Sequence, residues 1–259
     1  MSEISNIPNI AAAAEVVVAP AKKMSPAGMM KSIVNNKASM DILQGALKDN
    51  AGAFAASVID LYGNDTYLQQ CDPRKVFQEC LKAVSLKLPI NKQLGFAWVI
   101  PFRDGRSGEM LPQFQLGYKG IIQLCMRTGA YKYINCDCVY EGEEVIVDRI
   151  RGTIEISGEP VSDNVIGYFA YMETVNGFAK SYYWKREKVI AHAEKFSKSY
   201  KQKSSAWHTG SFDAMAQKTV LSNLLHKWGL MSTEFMGTEQ QAEMAALADD
   251  TIIVGDEEA

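Results

Sequence analysis

Residues 94–118, LGFAWVIPFRDGRSGEMLPQFQLGY, decide the fold, because the pattern of the chain changes there from helical to extended. Two extended segments, 94–102 and 110–118, are separated by a polar tip that contains Gly105 and Gly108. A glycine-containing polar tip between two apolar segments is typical of a β-hairpin. The sequence therefore predicts a hairpin at the centre of the chain.

Capping residues mark helices before this hairpin. Ser25 and Asp72 are good N-cap residues, and each is followed by a proline at the first helical position. The spacing of apolar residues predicts helices over 26–48 and 51–62 and a third helix beginning at 73.

Strands and helices are mixed after the hairpin. We expect a short helix over 120–128, further strands in 131–156, a hairpin over 165–183 turned by Asn176-Gly177, and helices over 184–196 and 212–228. The alternation typical of a parallel sheet is missing, so the prediction is an α+β fold in which helices flank a small antiparallel or mixed β-hairpin centre. The predicted organisation is a flexible leader over 1–24, a single core domain over 25–230 and an acidic, mobile tail over 231–259.

Composition limits the class of protein. With 259 residues and 47% hydrophobic content, the chain can bury a sizeable core. Its apolar runs are too short to cross a bilayer, and its N-terminus lacks the pattern of a secretory leader. Five cysteines without a C-x-x-C pair and three widely spaced histidines do not form a common zinc pattern. We expect a cytoplasmic protein with reduced cysteines, no membrane partner and no required cofactor, with Mg²⁺ at most modulating the binding of a ligand.

The net charge of -3 hides an uneven distribution. The stretch from Arg74 to Lys132 has a balance of +7, that from Cys136 to Glu173 a balance of -7, and that from Lys185 to Lys227 a balance of +6. Two basic blocks folded onto one face would line a groove for a polyanion, although charged segments are more often only solvated faces.

Three polar side chains of the first basic block share one side of the predicted helix after the hairpin. Lys119, Gln123 and Arg127 are spaced by four, so they share one side of that helix next to the backbone N–H groups of its start. A phosphate could lie along this edge. The three side chains could equally be ordinary surface groups.

The second basic block interleaves cations with aromatic rings. Lys195, Lys198, Lys201 and Lys203 alternate with Phe196, Tyr200 and Trp207 in a serine-rich loop. This composition suits a surface that follows a sugar-phosphate backbone, with Trp207 as the candidate for stacking on a base. The alternative is that Trp207 packs beneath the loop.

Signals for catalysis are scarce. The chain has no P-loop motif, and its histidines have no visible acid or nucleophile partner. Glu141, Glu143, Glu144 and Asp148 could be nuclease metal ligands, but they fall around a turn where solvated acids are common. We expect no enzymatic activity, with a metal-dependent nuclease or an interaction scaffold as alternatives.

Four motifs in order give the chain a family resemblance over residues 31–228. They are LKLPI at 86–90, LGFAWVIPF at 94–102, QFQLGYKG at 113–120, and Trp207 with FDAMAQKT at 212–219. With these motifs the chain resembles the RecT family of phage single-strand annealing proteins, which is related more distantly to lambda Red beta. In one departure, Ser222-Asn223 stand where family members often carry a basic doublet.

The resemblance implies binding of single-stranded DNA without ATP, annealing of complementary strands through a duplex intermediate, and self-assembly into rings or helical filaments during phage homologous recombination. It also implies two partner proteins: a phage exonuclease beside which the protein works, and the host single-strand-binding protein, contacted through the C-terminal region. From residues and resemblance together we expect the strand to be held mainly by its phosphates in a basic groove that continues across adjacent subunits. The predicted DNA-binding residues are Arg103, Arg106, Gln113, Gln115, Tyr118, Lys119, Gln123, Arg127, Lys185, Arg186, Lys198, Lys201, Lys203, Trp207 and Lys218.

Overall fold

A computed structural model describes residues 24–232, and its first part is helical. The predicted caps are confirmed: the Ser25 hydroxyl accepts a hydrogen bond from Gly28 N at 3.1 Å, and the Asp72 carboxylate accepts one from Arg74 N at 2.7 Å. The single helix predicted over 26–48 is instead two helices, because the Asn36 side chain accepts from Ala38 N and caps a new start. The helices are α1 (Pro26–Val34), α2 (Lys37–Leu47), α3 (Ala51–Asn64) and α4 (Pro73–Ser85).

The central hairpin forms as predicted, with shorter strands. Strand β1 (Ala97–Arg103) pairs antiparallel with β2 (Met110–Leu116), and Val99 lies opposite Phe114. Helix α5 (Tyr118–Arg127) begins two residues after β2, earlier than the predicted start at 120. The hairpin and the first turn of α5 are therefore joined almost without a linker.

The second half combines a sheet with two helices. Strands β3, β6 and β7 form a three-stranded antiparallel sheet in the order β3-β6-β7, and β4 and β5 form a second hairpin. Ser181 N on β7 donates to Gly152 O, which ties that hairpin to the edge of the sheet. The bounds are β3 (Tyr131–Tyr140), β4 (Glu144–Asp148), β5 (Thr153–Ser157), β6 (Val165–Thr174), β7 (Ala179–Lys185), α6 (Arg186–Phe196) and α7 (Phe212–Trp228). The predicted α+β class is confirmed.

Three clusters of buried side chains hold these elements together. One joins α1 to α4 with β1, and another joins α5, α6 and α7 with the three-stranded sheet. A small cluster of Leu86, Leu88 and Leu124 lies where the two halves meet, and Met231 packs against it. All five cysteines are unpaired. No helix between residues 24 and 232 is long and apolar enough to cross a membrane. Residues 1–23 of the predicted leader and 233–259 of the predicted tail lie outside the described part.

The hairpin and α5 approach each other so closely that two glycines are required. A Cβ atom added to Gly120 would stand 2.2 Å from Phe96 O, and one added to Gly117 would stand 2.4 Å from Gly95 O. These separations are far below van der Waals contact, so any larger residue would push α5 away from the hairpin. The glycines thereby fix the position of the first turn of α5.

Burial of His226 near the end of α7 makes the stability depend on pH. Its Nδ1 atom has no hydrogen-bond partner among residues 24–232, and burial lowers the pKa of the imidazole to about 4. The unfolded chain therefore takes up a proton at a pH where the folded protein does not. Protonation of His226 in the unfolded chain therefore does not lower the free energy of unfolding above pH 6.5. As the pH falls from 6.5 toward 4, it lowers this free energy by about 3 kcal/mol in total.

The His226→Leu variant tests this pH dependence. Because leucine does not titrate, the loss of unfolding free energy between pH 6.5 and 4 should be smaller than in the unsubstituted protein by about 3 kcal/mol. Urea unfolding at a series of pH values measures the difference. Equal pH dependence in the two proteins would show that His226 is not responsible.

Candidate nucleic-acid interface

The outer face of the β1–β2 hairpin carries the side chains around which the candidate site is built. Side chains alternate along a strand, and Ala97 and Val99 are buried in the cluster that joins α1 to α4 with β1. Trp98, Ile100 and Phe102 therefore point to the other face, where the register places Gln115, Gln113 and Leu111 opposite them. Trp98 is half-buried and Phe102 is 42% exposed. The result is an aromatic and amide surface on a rigid strand pair.

Trp98 lies at the base of this face, against the two glycines that join hairpin and helix. A Cβ atom added to Gly117 would stand 2.4 Å from the indole ring, and one added to Gly95 would stand 3.7 Å from it. The aliphatic part of Lys119 lies beside the same glycine, with its Cδ atom 3.6 Å from the added Cβ. The stem of an exposed lysine and a half-buried indole thus lie beside the same glycine.

The two basic blocks meet on this face. Lys198, from the loop after α6, places its Nζ atom 4.1 Å from the ring centroid of Phe102 on β1. Lys218, on the second turn of α7, places its Nζ atom 5.7 Å from the ring centroid of Tyr118 at the start of α5. Cations of the second block therefore stand over aromatic rings of the first, along a surface roughly 13 Å long between Trp98 and Phe102.

Trp207 is buried, so the stacking role predicted for it is not what the structure shows. Its side chain is 3% exposed, and its Nε1–H donates to the Ser197 hydroxyl at 3.1 Å. The edges of Tyr200 and Phe212 pack against it with centroid distances of 5.7 and 5.5 Å. Trp207 instead packs beneath the loop that carries Lys198, Lys201 and Lys203, all of which are exposed.

Arg127, on the predicted phosphate edge, donates hydrogen bonds to the backbone of the turn after α4. Its guanidinium donates to Leu86 O at 2.7 Å and to Lys87 O at 2.9 Å. Lys87 has a φ of 51°, which is unfavourable for a residue with a side chain, and the two hydrogen bonds hold this turn in place. Arg127 is exposed, and its guanidinium has N–H groups beyond those used in these two bonds. Gln123, on the same edge, is half-buried.

Arg186 is likewise held in a network of its own. It donates to the Tyr168 hydroxyl at 2.8 Å and to the Asp213 carboxylate at 3.1 Å, and its guanidinium lies 4.3 Å from the Phe212 ring centroid. Tyr168 also donates to Asp213, and burial together with this hydrogen bond raises the pKa of the phenol. Arg186 therefore fixes the start of α7. Its neighbour Lys185 is exposed.

The remaining predicted residues lie along the hairpin. Arg103 and Arg106 are exposed near its tip, where Arg103 Nε donates weakly to Gly108 O at 3.4 Å. Gln113 is exposed on the outer face. Gln115 is half-buried, and its Oε1 atom is buried with no hydrogen-bond partner among the described residues. Since buried polar atoms almost always have a partner, this acceptor is suited to a donor from a ligand.

Sequence reasoning missed Trp98 and Phe102 as site residues. In the sequence they stand out only as parts of the motif LGFAWVIPF. The structure places them in one surface with Gln113 and Gln115. The alternation of Ala97 and Val99 with Trp98 and Ile100 was the available signal, because it separates the face of the core from the outer face.

Three of the four acidic residues considered as nuclease ligands accept hydrogen bonds from other groups of the protein. Glu143 accepts from Tyr140 N at 2.6 Å, Glu141 accepts from the Ser162 hydroxyl at 2.8 Å, and Asp148 accepts from two backbone N–H groups of its own turn. Within residues 24–232, no group of three or more histidine, cysteine or acidic side chains could hold a metal ion.

Ser222 and Asn223, which replace the basic doublet, belong to the packing of α7. Ser222 is 3% exposed, and the Asn223 amide donates to Thr219 O at 2.9 Å. These two positions therefore offer no exposed cation, and other lysines would have to supply the phosphate contacts.

Comparison with known proteins identifies the family of the chain. The chain is 43% identical over 206 residues to the uncharacterized protein YqaK of Bacillus subtilis, an alignment that covers 79% of this chain and 69% of that protein. It is 30% identical over 79 residues to Protein RecT of Escherichia coli, covering 30% of this chain and 29% of that protein. The RecT family model matches residues 52–257, and the chain therefore belongs to the RecT family.

Proposed function

We propose that this protein binds single-stranded DNA along the outer face of the β1–β2 hairpin and anneals it to a complementary strand without ATP. Membership in the RecT family supports the coarser function, recombination and annealing of DNA. The proposed strand runs over Trp98 and Phe102 and is held through its phosphates by Lys119, Lys198, Lys201, Lys203 and Lys218.

One observation carries this proposal. Lys198 stands over Phe102, and Lys218 stands over Tyr118, so cations more than 90 residues away in sequence share a surface with rings of the hairpin region. Cations beside exposed rings are the combination that binds single strands without sequence preference. Contacts to phosphates carry little sequence information, so they leave the pairing edges of the bases accessible to a second strand.

An annealing assay tests the function directly. Two complementary labelled oligonucleotides should pair faster with the purified protein than alone, in the absence of ATP and in the presence of a metal chelator. A rate equal to the spontaneous rate, measured on a protein that still self-associates, would favour the scaffold alternative. Cleavage of the labelled strand with Mg²⁺ that Glu144→Ala abolishes would favour the nuclease.

Trp98 should contribute to binding by stacking. Trp98→Ala is expected to weaken the binding of a short single strand by about 1 to 3 kcal/mol, the usual contribution of one stacked base, whereas Trp98→Phe should retain most of the affinity. Fluorescence anisotropy with a labelled oligonucleotide measures both variants. The variant Tyr67→Ala, which removes an exposed ring on the helical half, serves as the matched control. Equal affinities of Trp98→Ala and the unsubstituted protein would exclude this role.

Assembly and partners complete the proposal. Family membership implies self-association, and we propose that rings or helical filaments align the hairpin faces of adjacent subunits into one groove. The phage exonuclease and the host single-strand-binding protein are the proposed partners of residues 231–259, which contain eight acidic residues and no lysine or arginine. The annealed duplex is the proposed intermediate held by the assembly.

A further inference from the structure

A polar cavity lies away from the hairpin face. It has a volume of about 610 Å³ and is lined by residues of the β4–β5 hairpin, β7, α6 and α7. Two properties of its walls point to a ligand: a set of cations and a group of aromatic rings.

The cations come from three different elements. Arg149, Lys188 and Lys227 line the cavity, and none of them forms an ion pair with a carboxylate within residues 24–232. Asp148, the acidic residue of the lining, is occupied by the backbone of its own turn and by Arg151. Burial lowers the pKa of Lys188, and a bound anion would restore the stability of its charged form.

Aromatic side chains form the wall beside these cations. The rings of Tyr182 and Trp184 lie 6.5 Å apart at an interplanar angle of 21°, and the ammonium of Lys188 stands 4.3 Å from the Trp184 centroid. His192 and Phe196 extend the wall along α6 with a centroid distance of 4.7 Å. Flat rings next to unpaired cations match a molecule that has a planar base and an anionic group.

The cavity is separated from the hairpin face by α7. Lys218, at the proposed groove, and Lys227, at the cavity, are nine residues apart on this helix, which corresponds to about half a turn in orientation and roughly 13 Å along the axis. A ligand at one of these places therefore does not occupy the other.

We propose that this cavity binds a phosphorylated nucleoside, with the phosphate at Lys188 and Lys227 and the base against the aromatic wall. Its source is either a free nucleotide or the terminal nucleotide of a DNA strand. The site goes beyond the annealing function, and it can exist whether or not the hairpin face binds DNA.

Calorimetry with the full chain tests the site, using thymidine monophosphate as the probe and thymidine as its uncharged counterpart. The monophosphate should bind and thymidine should bind at least ten-fold more weakly. The double variant Lys188→Gln/Lys227→Gln should lose at least ten-fold in affinity for the monophosphate. The control Lys132→Gln/Lys195→Gln, which removes two exposed lysines outside the cavity, should bind like the unsubstituted protein.

Competition with oligonucleotides shows whether the bound nucleotide is free or belongs to a strand end, and it separates this site from the hairpin face. An oligonucleotide with a 5′-hydroxyl should leave the monophosphate bound. Displacement only by the 5′-phosphorylated oligonucleotide assigns the site to a strand end, and displacement by neither assigns it to a free nucleotide. Three results would overturn the proposal: no binding at about 10 mM monophosphate, equal affinity in the cavity variant, or displacement by the 5′-hydroxyl strand.

Discussion

Replacing Trp207 by alanine should lower the free energy of unfolding by about 4 kcal/mol, the usual cost of removing a large buried aromatic side chain. The indole is 3% exposed, fills the space between Tyr200 and Phe212, and donates a hydrogen bond to Ser197. Alanine would leave a cavity beneath the loop of lysines and would leave the Ser197 hydroxyl without this donor. Urea unfolding followed by circular dichroism measures the loss.

Two further variants separate this structural role from a direct role in binding. Trp207→Phe keeps most of the buried ring, so it should cost only about 1 to 2 kcal/mol. Trp98→Ala, at a half-buried position on the outer face, should change stability less than Trp207→Ala does but should weaken DNA binding. If Trp207→Ala unfolded like the unsubstituted protein and lost DNA affinity, Trp207 would have to contact the strand after all.

Elements specified by local interactions could be predicted from the sequence. The caps at Ser25 and Asp72, the Asn176-Gly177 turn and the limits of α7 depend on residues within a few positions of each other, and they occur where expected. The hairpin over 94–118 was also predictable, because its apolar segments and polar tip are contiguous. These local signals were sufficient for the α+β class.

Side-chain roles that depend on distant contacts were not predictable. Arg127 has the spacing of a surface cation, but its partners are the carbonyls of Leu86 and Lys87, about 40 residues earlier. The residues around Trp207 in the sequence have the composition of an exposed loop. Its side chain is nevertheless buried in the core, where it contacts the Ser197 hydroxyl and two aromatic rings. Spacing along one helix or loop carries no information about such partners, because they are set by how the elements pack.

The position of the two basic blocks on one face was only partly predictable from the sequence. Charge distribution predicted two separate blocks, and the idea that both line one face was a hypothesis. The contacts of Lys198 with Phe102 and of Lys218 with Tyr118 support it. They also show which strand presents the rings, which the charge pattern alone could not indicate.

Replacing Lys119, Lys198, Lys201 and Lys218 together by glutamine should weaken the binding of single-stranded DNA by about 600-fold at about 0.1 M salt. Each phosphate neutralised on a single strand contributes about 0.7 to the slope of log affinity against log salt, which corresponds to about five-fold at this salt concentration. The slope itself should therefore fall by about 3. Anisotropy titrations over a range of salt concentrations give both quantities.

The matched control removes four lysines from other surfaces: Lys31, Lys37, Lys48 and Lys132. It changes the net charge by the same amount, so long-range attraction of the strand falls equally in the two variants, while only the first loses contacts at the hairpin face. The control should therefore keep the salt slope of the unsubstituted protein and lose little affinity. Equal slopes in the two fourfold variants would mean that the strand responds to total charge alone, and the hairpin face would then not be the place where phosphates are held.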